Sequence, residues 1–172
     1  ARRLMLAGLF LLAGAAGATA LLIWLQRDRR YHSSDSVAAA YDAWTDDRLL
    51  ERLWGDHVHL GHYGDPPGQV DFRQAKEAFV HELVRWSGLD HLPRGSRDLD
   101  VGCGIGGSAR ILARDYGFDV LGVSISPAQI RRATELTPEG ITCRFQVMDA
   151  LNLQLDDQQF DAVWTVEAGP HM

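Results

Sequence analysis

The ten residues Asp98-Leu99-Asp100-Val101-Gly102-Cys103-Gly104-Ile105-Gly106-Gly107 constrain the fold more than any other stretch of the chain. A short run breaks into glycines at alternate positions, and Ser108 to Tyr116 then follows with helical spacing up to Gly117. That order reads as strand, tight turn and helix. Gly102, Gly104 and Gly106 let the backbone bend and come close to a ligand with no Cβ in the way. The helix behind them aims free N–H groups at whatever lies above the strand end. Asp100 decides what that is. A carboxylate two residues before the first glycine repels a pyrophosphate, which a dinucleotide fold places at such a turn, and attracts an ammonium. The expected ligand is a nucleoside that is cationic on its amino-acid side and carries no phosphate. S-adenosylmethionine fits that description and NAD does not.

The rest of the C-terminal half repeats the alternation. Phe118 to Val123 reads as a second strand, Thr142 to Val147 as a third and Phe160 to Val166 as a fourth. Between the second and third, Ser126-Pro127-Ala128-Gln129 opens a helix with a cap, an N1 proline and a box glutamine, running to about Leu136. Strands alternating with helices predict an α/β, Rossmann-like parallel sheet over residues 96–172. At the end of the second strand, where dinucleotide folds carry an acidic residue on the ribose, this chain has Ser124. Ser124 and Gln129 are candidates for the sugar, although Gln129 is equally well explained by the capping box. Asp149, after the third strand, is a candidate acceptor for an adenine amino group beside the Ala150 N–H, or an ordinary loop carboxylate.

Residues 31–95 read as a helical region ahead of this domain. Ser33 to Ser36 form a polar junction suited to capping a helix that begins near Val37, and one or two helices reach Trp54. His57 to Gln69 is a loop rich in Gly, Pro and His. Asp71 caps a further helix with Gln74 as box partner, and Phe72, Ala75, Phe79, Leu83 and Trp86 form its apolar stripe up to Gly88. The loop carrying His57, His59 and His62 is placed to fold over the cofactor as a lid. Trp44, Trp54 and Tyr63 are expected to pack within it, and Tyr41 to touch the cofactor. Three loop histidines hint at zinc, but no fourth ligand is apparent, so no metal is expected.

Residues 1–30 are different in kind. Leu4 to Leu25 is a run of 22 residues without a charge, with Arg2 and Arg3 before it and Arg27, Arg29 and Arg30 after it. As a helix it would span about 33 Å, enough for a bilayer core of about 30 Å. It is read as a transmembrane anchor rather than a cleaved signal, with the catalytic domain on the cytoplasmic side. The remaining residues carry a net charge of −10 within the overall −6, which excludes a phosphate-backbone partner such as nucleic acid. Cys103 and Cys143 are the two cysteines and form no CxxC pair, so neither a disulfide scaffold nor a Cys-rich zinc site is expected.

Asp100–Gln129 and Phe160–Met172, together with Ser33–Asp47 and Trp54–Pro67, resemble the tocopherol methyltransferase family of class I methyltransferases. The resemblance implies S-adenosylmethionine as cofactor and a prenylated quinol, soluble in the membrane, as methyl acceptor. It supports Ser124, Ile125 and Gln129 at the ribose, beside the candidate cofactor contacts already read at Asp100, Gly102, Cys103, Gly104, Asp149 and Ala150. It also puts Glu167 and His171 where the methyl group points, as candidates to orient or deprotonate the quinol, or as polar neighbours of that site. Another lipid or small-molecule acceptor, or a tethered module that binds cofactor without turnover, are the other readings. A full class I sheet has seven strands, so a chain stopping after the fourth reads as an N-terminal piece with its fourth strand as an apolar edge.

Overall fold

The computed structural model describes residues 33–171. The proposed anchor lies outside the described residues. Among the described residues, no helix is long and apolar enough to cross a membrane.

Among the described residues, three α-helices and a 3-10 turn at Leu89–His91 precede the sheet. Helix α1 covers Ser34–Asp46. The Ser33 hydroxyl accepts from Ser36 N–H, and the Ser36 hydroxyl accepts from Ser33 N–H. This reciprocal box satisfies two orphan donors and starts the helix three residues earlier than the apolar pattern alone implies. Helix α2 covers Leu49–Trp54 and stops at Gly55, whose φ is 84°. Helix α3 covers Phe72–Ser87 and ends at Gly88 in the left-handed region. Asp71 Oδ1 accepts from Arg73 N–H and Gln74 N–H, at 2.9 and 3.3 Å. The stripe read for α3 needs correction at its end. The buried line runs Ala75, Lys76, Val80 and Val84, and Trp86 is 85% exposed. A 3.6-residue period drifts across three turns, so a stripe drawn from Phe72 leaves the core face by Trp86.

The sheet follows. Strand β1 is Arg97–Val101, helix α4 is Gly107–Ile111 continued by a π-helical turn Leu112–Tyr116, and strand β2 is Asp119–Ser124. Helix α5 is Pro127–Leu136, strand β3 is Cys143–Val147 and strand β4 is Ala162–Trp164. All pairings are parallel, in the order β3-β2-β1-β4. The Rossmann-like α/β expectation holds. Strand β4 is shorter than the Phe160–Val166 read from composition, because its pairing with β1 runs only from Asp98↔Ala162 to Asp100↔Trp164. Past it the chain leaves extended geometry, and Glu167 has φ 54°. As an edge strand β4 leaves Val163 62% exposed.

One sheet face packs Leu99, Val123 and Met148 with Leu121, Leu153 and Phe160. The other packs Phe118, Val120 and Trp164 against α3 and α4 through Val80, Val84, Ala109 and Leu112. The N-terminal helices are tied to this body by polar contacts. Asp42 Oδ1 of α1 accepts from the Ser126 hydroxyl at 2.5 Å and from Ala128 N–H at 2.9 Å, so α1 caps α5. Glu51 of α2 holds Arg132 of α5 in a two-point ion pair at 2.6 and 2.8 Å. Lys76, 4% exposed, donates to the carbonyls of Trp54 and His57 and lies over the Trp54 and Phe72 rings.

Asp98 is the anomaly in this packing. It is fully buried and neither carboxylate oxygen has a partner. Burial pushes its pKa up from 3.8 to about 7. An acid whose folded pKa lies above its unfolded value binds more protons when folded between the two. Its favourable contribution is complete below pH 4 and is lost as pH rises toward 7. Asp98→Val is therefore expected to stabilise the protein at pH 7.5 by about 2 kcal/mol, with a shallower decline in Tm between pH 4.5 and 7.5. Thermal melts across that range test this. A variant no more stable at pH 7.5, with an unchanged decline, rejects it.

Candidate cofactor site

The turn after β1 is bound to β2: Gly102 N–H and Cys103 N–H both donate to the Val123 carbonyl, at 2.9 and 3.0 Å. Gly102, Gly104 and Gly106 all have positive φ, at 80°, 55° and 80°. Their surroundings assign them different tasks. A Cβ on Gly104 would meet no atom within 4 Å, so this position faces open space in the cleft. A Cβ on Gly106 would lie 2.6 Å from the Phe145 ring. Gly106 thus serves helix–strand packing, a correction to its reading as a ligand-approach position. Gly107, at the start of α4, admits the lid loop: a Cβ there would stand 2.6 Å from the Asp56 carbonyl oxygen and 2.8 Å from the His57 ring.

The main cleft lies above the C-terminal ends of the strands, where open α/β sheets bind ligands. Of the predicted contacts, Gly102, Gly104, Ser124, Ile125, Gln129, Asp149 and Ala150 line this one cleft. Val37, Tyr41 and Trp44 of α1, Val58 and His59 of the lid loop and Met148 after β3 also contribute to its walls. Ser124 donates to Gln129 Oε1 at 2.6 Å, while the Gln129 backbone N–H bonds the Ser126 hydroxyl at 3.1 Å. The Gln129 side chain is thus turned to Ser124 rather than back onto its own helix cap. Asp149 Oδ1 accepts from Leu151 N–H at 2.9 Å, so it also shapes its own loop. Cys103 is buried, and burial holds its thiol well above the usual range. Its side chain is an inert packing group, and its backbone belongs to the turn.

Asp100 lies beneath the turn, outside the main cleft. It is 2% exposed and lines a smaller cavity between the turn and the lid loop, with His57, His59, Gly102 and Gly104. Its Oδ2 has no partner. Burial, reinforced by Asp98, holds its pKa well above the ordinary value. The turn thus presents a desolvated acid whose ionised form a nearby cation would stabilise.

Glu167 lines the main cleft and its Oε1 accepts from Leu60 N–H of the lid loop at 3.1 Å. His171 ends the short helical turn Gly169–His171 beyond it, and its side chain is not among those described. The three loop histidines do not act alike: His57 and His59 are buried, whereas His62 is half-buried, 4.0 Å from Glu82. No group of three candidate metal ligands occurs among the described residues. Sequence reasoning missed Asp42 and the pairing of His57 with His59, because both depend on which segments meet in space.

Residues 99–172 match the family described as "Methyltransferase domain". Over 161 residues, 94% of the chain, the sequence is 61% identical to 2-methyl-6-phytyl-1,4-hydroquinone methyltransferase of Synechocystis, of which it covers 49%. It is 38% identical to the chloroplastic tocopherol O-methyltransferase of Arabidopsis thaliana, over 72% of the chain and 38% of that protein. The chain spans about half or less of the length of these relatives. Among solved structures, the geranyl diphosphate C-methyltransferase of Streptomyces coelicolor is similar, with TM-score 0.58 and 27% identity over 79% of this chain and 55% of that one. That structure contains S-adenosyl-L-homocysteine, Mg2+ and geranyl-S-thiolodiphosphate.

The glycine environments predict unequal responses to alanine. Gly104→Ala meets only the cost of positive φ, about 1 kcal/mol. Gly107→Ala drives a methyl into the Asp56 backbone and is expected to lower Tm at least twice as far. Differential scanning calorimetry of the two variants measures this. Equal shifts contradict the assignment of Gly107 to the lid crossing.

Proposed function

We propose that the chain is the cofactor-binding half of an S-adenosylmethionine-dependent C-methyltransferase that acts on a prenylated benzoquinol. The observation that carries the cofactor reading is the unpartnered carboxyl of Asp100 beneath a turn that is bare backbone at Gly102 and Gly104. An ammonium satisfies that carboxyl, and Gly104 leaves room for a ligand that a side chain would fill. The residues fit the cofactor along its length. Asp100 takes the amino-acid end, Ser124, Ile125 and Gln129 the ribose, and Asp149 with the Ala150 N–H the adenine. The acceptor reading rests on the similarity to the Synechocystis hydroquinone methyltransferase and to the tocopherol enzyme.

The bound cofactor supplies an electrophilic methyl on a sulfonium. The task of the protein is to align a ring carbon with it in the absence of water. Val37, Tyr41, Trp44 and Met148 give the main cleft an apolar wall. A quinol carbon gains nucleophilicity as its neighbouring hydroxyl loses a proton. Glu167, fixed by Leu60 N–H at the cleft wall, orients that hydroxyl, and His171 is the second candidate for the same proton. An anchor over residues 4–25 holds the site at the bilayer, raising the effective concentration of an acceptor dissolved there. The catalytic side is cytoplasmic in this reading.

The test is transfer of labelled methyl from S-adenosylmethionine to a panel of quinols, with and without prenyl tails, by the complete protein. Methylation of prenylated quinols alone is the expected result, and no transfer to any quinol rejects the acceptor reading. Binding is checked separately. Asp100→Asn is expected to weaken S-adenosylmethionine at least tenfold, about 1.4 kcal/mol. Wild-type binding should release protons, because the arriving cation lowers a raised carboxyl pKa, and Asp100→Asn should not. Calorimetry in buffers of different ionisation enthalpy reads that release, and equal release by both proteins counts against Asp100.

A further inference from the structure

His57 and His59 are 8% and 7% exposed. Their rings meet Nδ1 to Nε2 at 3.1 Å, and His59 Nδ1 lies 2.7 Å from the Leu60 carbonyl oxygen. A carbonyl only accepts, so His59 Nδ1 carries its proton. Burial is the main force on both rings. It pushes His57 down to about 3, with His59, Arg110 and Lys76 adding to the effect, and it also lowers His59. Both are therefore neutral near pH 7. A neutral His59 protonated on Nδ1 presents a lone pair on Nε2, and His57 Nδ1–H donates to it. The sequence of bonds leaves His57 with a lone pair and no proton on Nε2. Its second nitrogen is an acceptor.

The loop that carries this pair is held from several sides. Lys76 Nζ donates to the His57 carbonyl at 2.7 Å. Arg110 Nη2 bonds Asp56 Oδ2 at 2.7 Å, and Leu60 N–H bonds Glu167. His57 sits directly over Gly107, the first residue of α4. The small cavity beneath it is lined by His57, His59, Asp100, Gly102 and Gly104, and among the described residues no Lys or Arg lines it. Asp100 contributes an oxygen with no partner. A cavity with a buried acid, a histidine locked as acceptor and no cation of its own suits an ammonium and repels a carboxylate or phosphate.

We propose that His57 is a cofactor-binding residue, its Nε2 accepting a hydrogen bond from the ammonium at the amino-acid end of the cofactor, opposite Asp100, with His59 as the positioning residue. The inference rests on the S-adenosylmethionine reading above and extends it from the sheet to the lid. It makes the lid loop part of the site that recognises the amino acid, while the nucleoside is left to the strand ends. His59 acts by fixing the tautomer of His57. Its loss frees His57 Nδ1–H and lets the ring exchange an acceptor for a donor.

The test titrates the complete protein with three ligands: S-adenosylmethionine, S-adenosylhomocysteine, and 5′-methylthioadenosine, which keeps the nucleoside and lacks the amino acid. His57→Phe is expected to weaken the first two roughly tenfold and to leave 5′-methylthioadenosine unchanged. His59→Phe should follow the same selective pattern, and His59→Gln, which retains an acceptor, should recover part of the loss. Binding of 5′-methylthioadenosine reports that each variant is folded, and His57→Gln replaces His57→Phe if that chain does not fold. Unchanged affinity for S-adenosylmethionine, or an equal loss on all three ligands by a folded variant, overturns the role of His57 alone. A wild-type protein that binds none of the three removes the cofactor reading and this inference with it.

Discussion

A carboxyl group buried where no protein donor reaches it is the constraint on which the cofactor half is built. Asp100 lies on the central strand β1, between β2 and β4, at the point where the chain turns toward α4. Burying an ionised carboxylate alone costs several kcal/mol, a cost that a cation beside it relieves. The fold maintains that burial. Phe145 closes over Gly106, the lid loop crosses Gly107, and Trp164 stands beside Asp100 on β4. Affinity for a positively charged ligand then comes from relief of an unfavourable burial rather than from a charged surface.

Much of this was legible from the sequence, because the signals are local. Asp71, Ser126 with Pro127, Gly88 and the alternating glycines each act within a few residues of themselves, and their elements form where the spacing places them. The parallel sheet follows from strand–helix alternation. The candidates at strand ends share one cleft for the same reason: Ser124 closes β2, Ile125 follows it, and Asp149 and Ala150 lie just past β3. What the sequence hid is long-range. Asp42 meets Ser126 across 84 positions. The tasks of Gly106 and Gly107 depend on Phe145 and Asp56, and nothing nearby in sequence marks either contact. The burial of Asp100 was hidden as well, since exposure depends on what packs over the strand end.

The two histidines show the same division. His57 and His59 stand two positions apart in a loop of polar composition, where exposure is the ordinary outcome. They are buried because Lys76, itself buried among Trp54 and Phe72, donates to the carbonyls on either side of the Gly55 turn and draws the loop inward. A lysine at an apolar position of an amphipathic helix breaks the pattern by which α3 was recognised. Here that break organises the loop over the glycine turn.

The cap that Asp42 places on α5 has a thermodynamic consequence. Helix α5 begins three residues past Ser124, and its Ala128 N–H is satisfied only by a side chain from α1 among the described residues. Withdrawing α1 would orphan that donor and leave the Ser126 hydroxyl without Asp42, a penalty of about 1–3 kcal/mol for each unsatisfied group. Closure of the N-terminal helices and order at the sugar-side bend are thus linked equilibria. A ligand at the strand ends therefore also stabilises the closed position of α1, through the Asp42 cap and through the α1 side chains that line the same cleft.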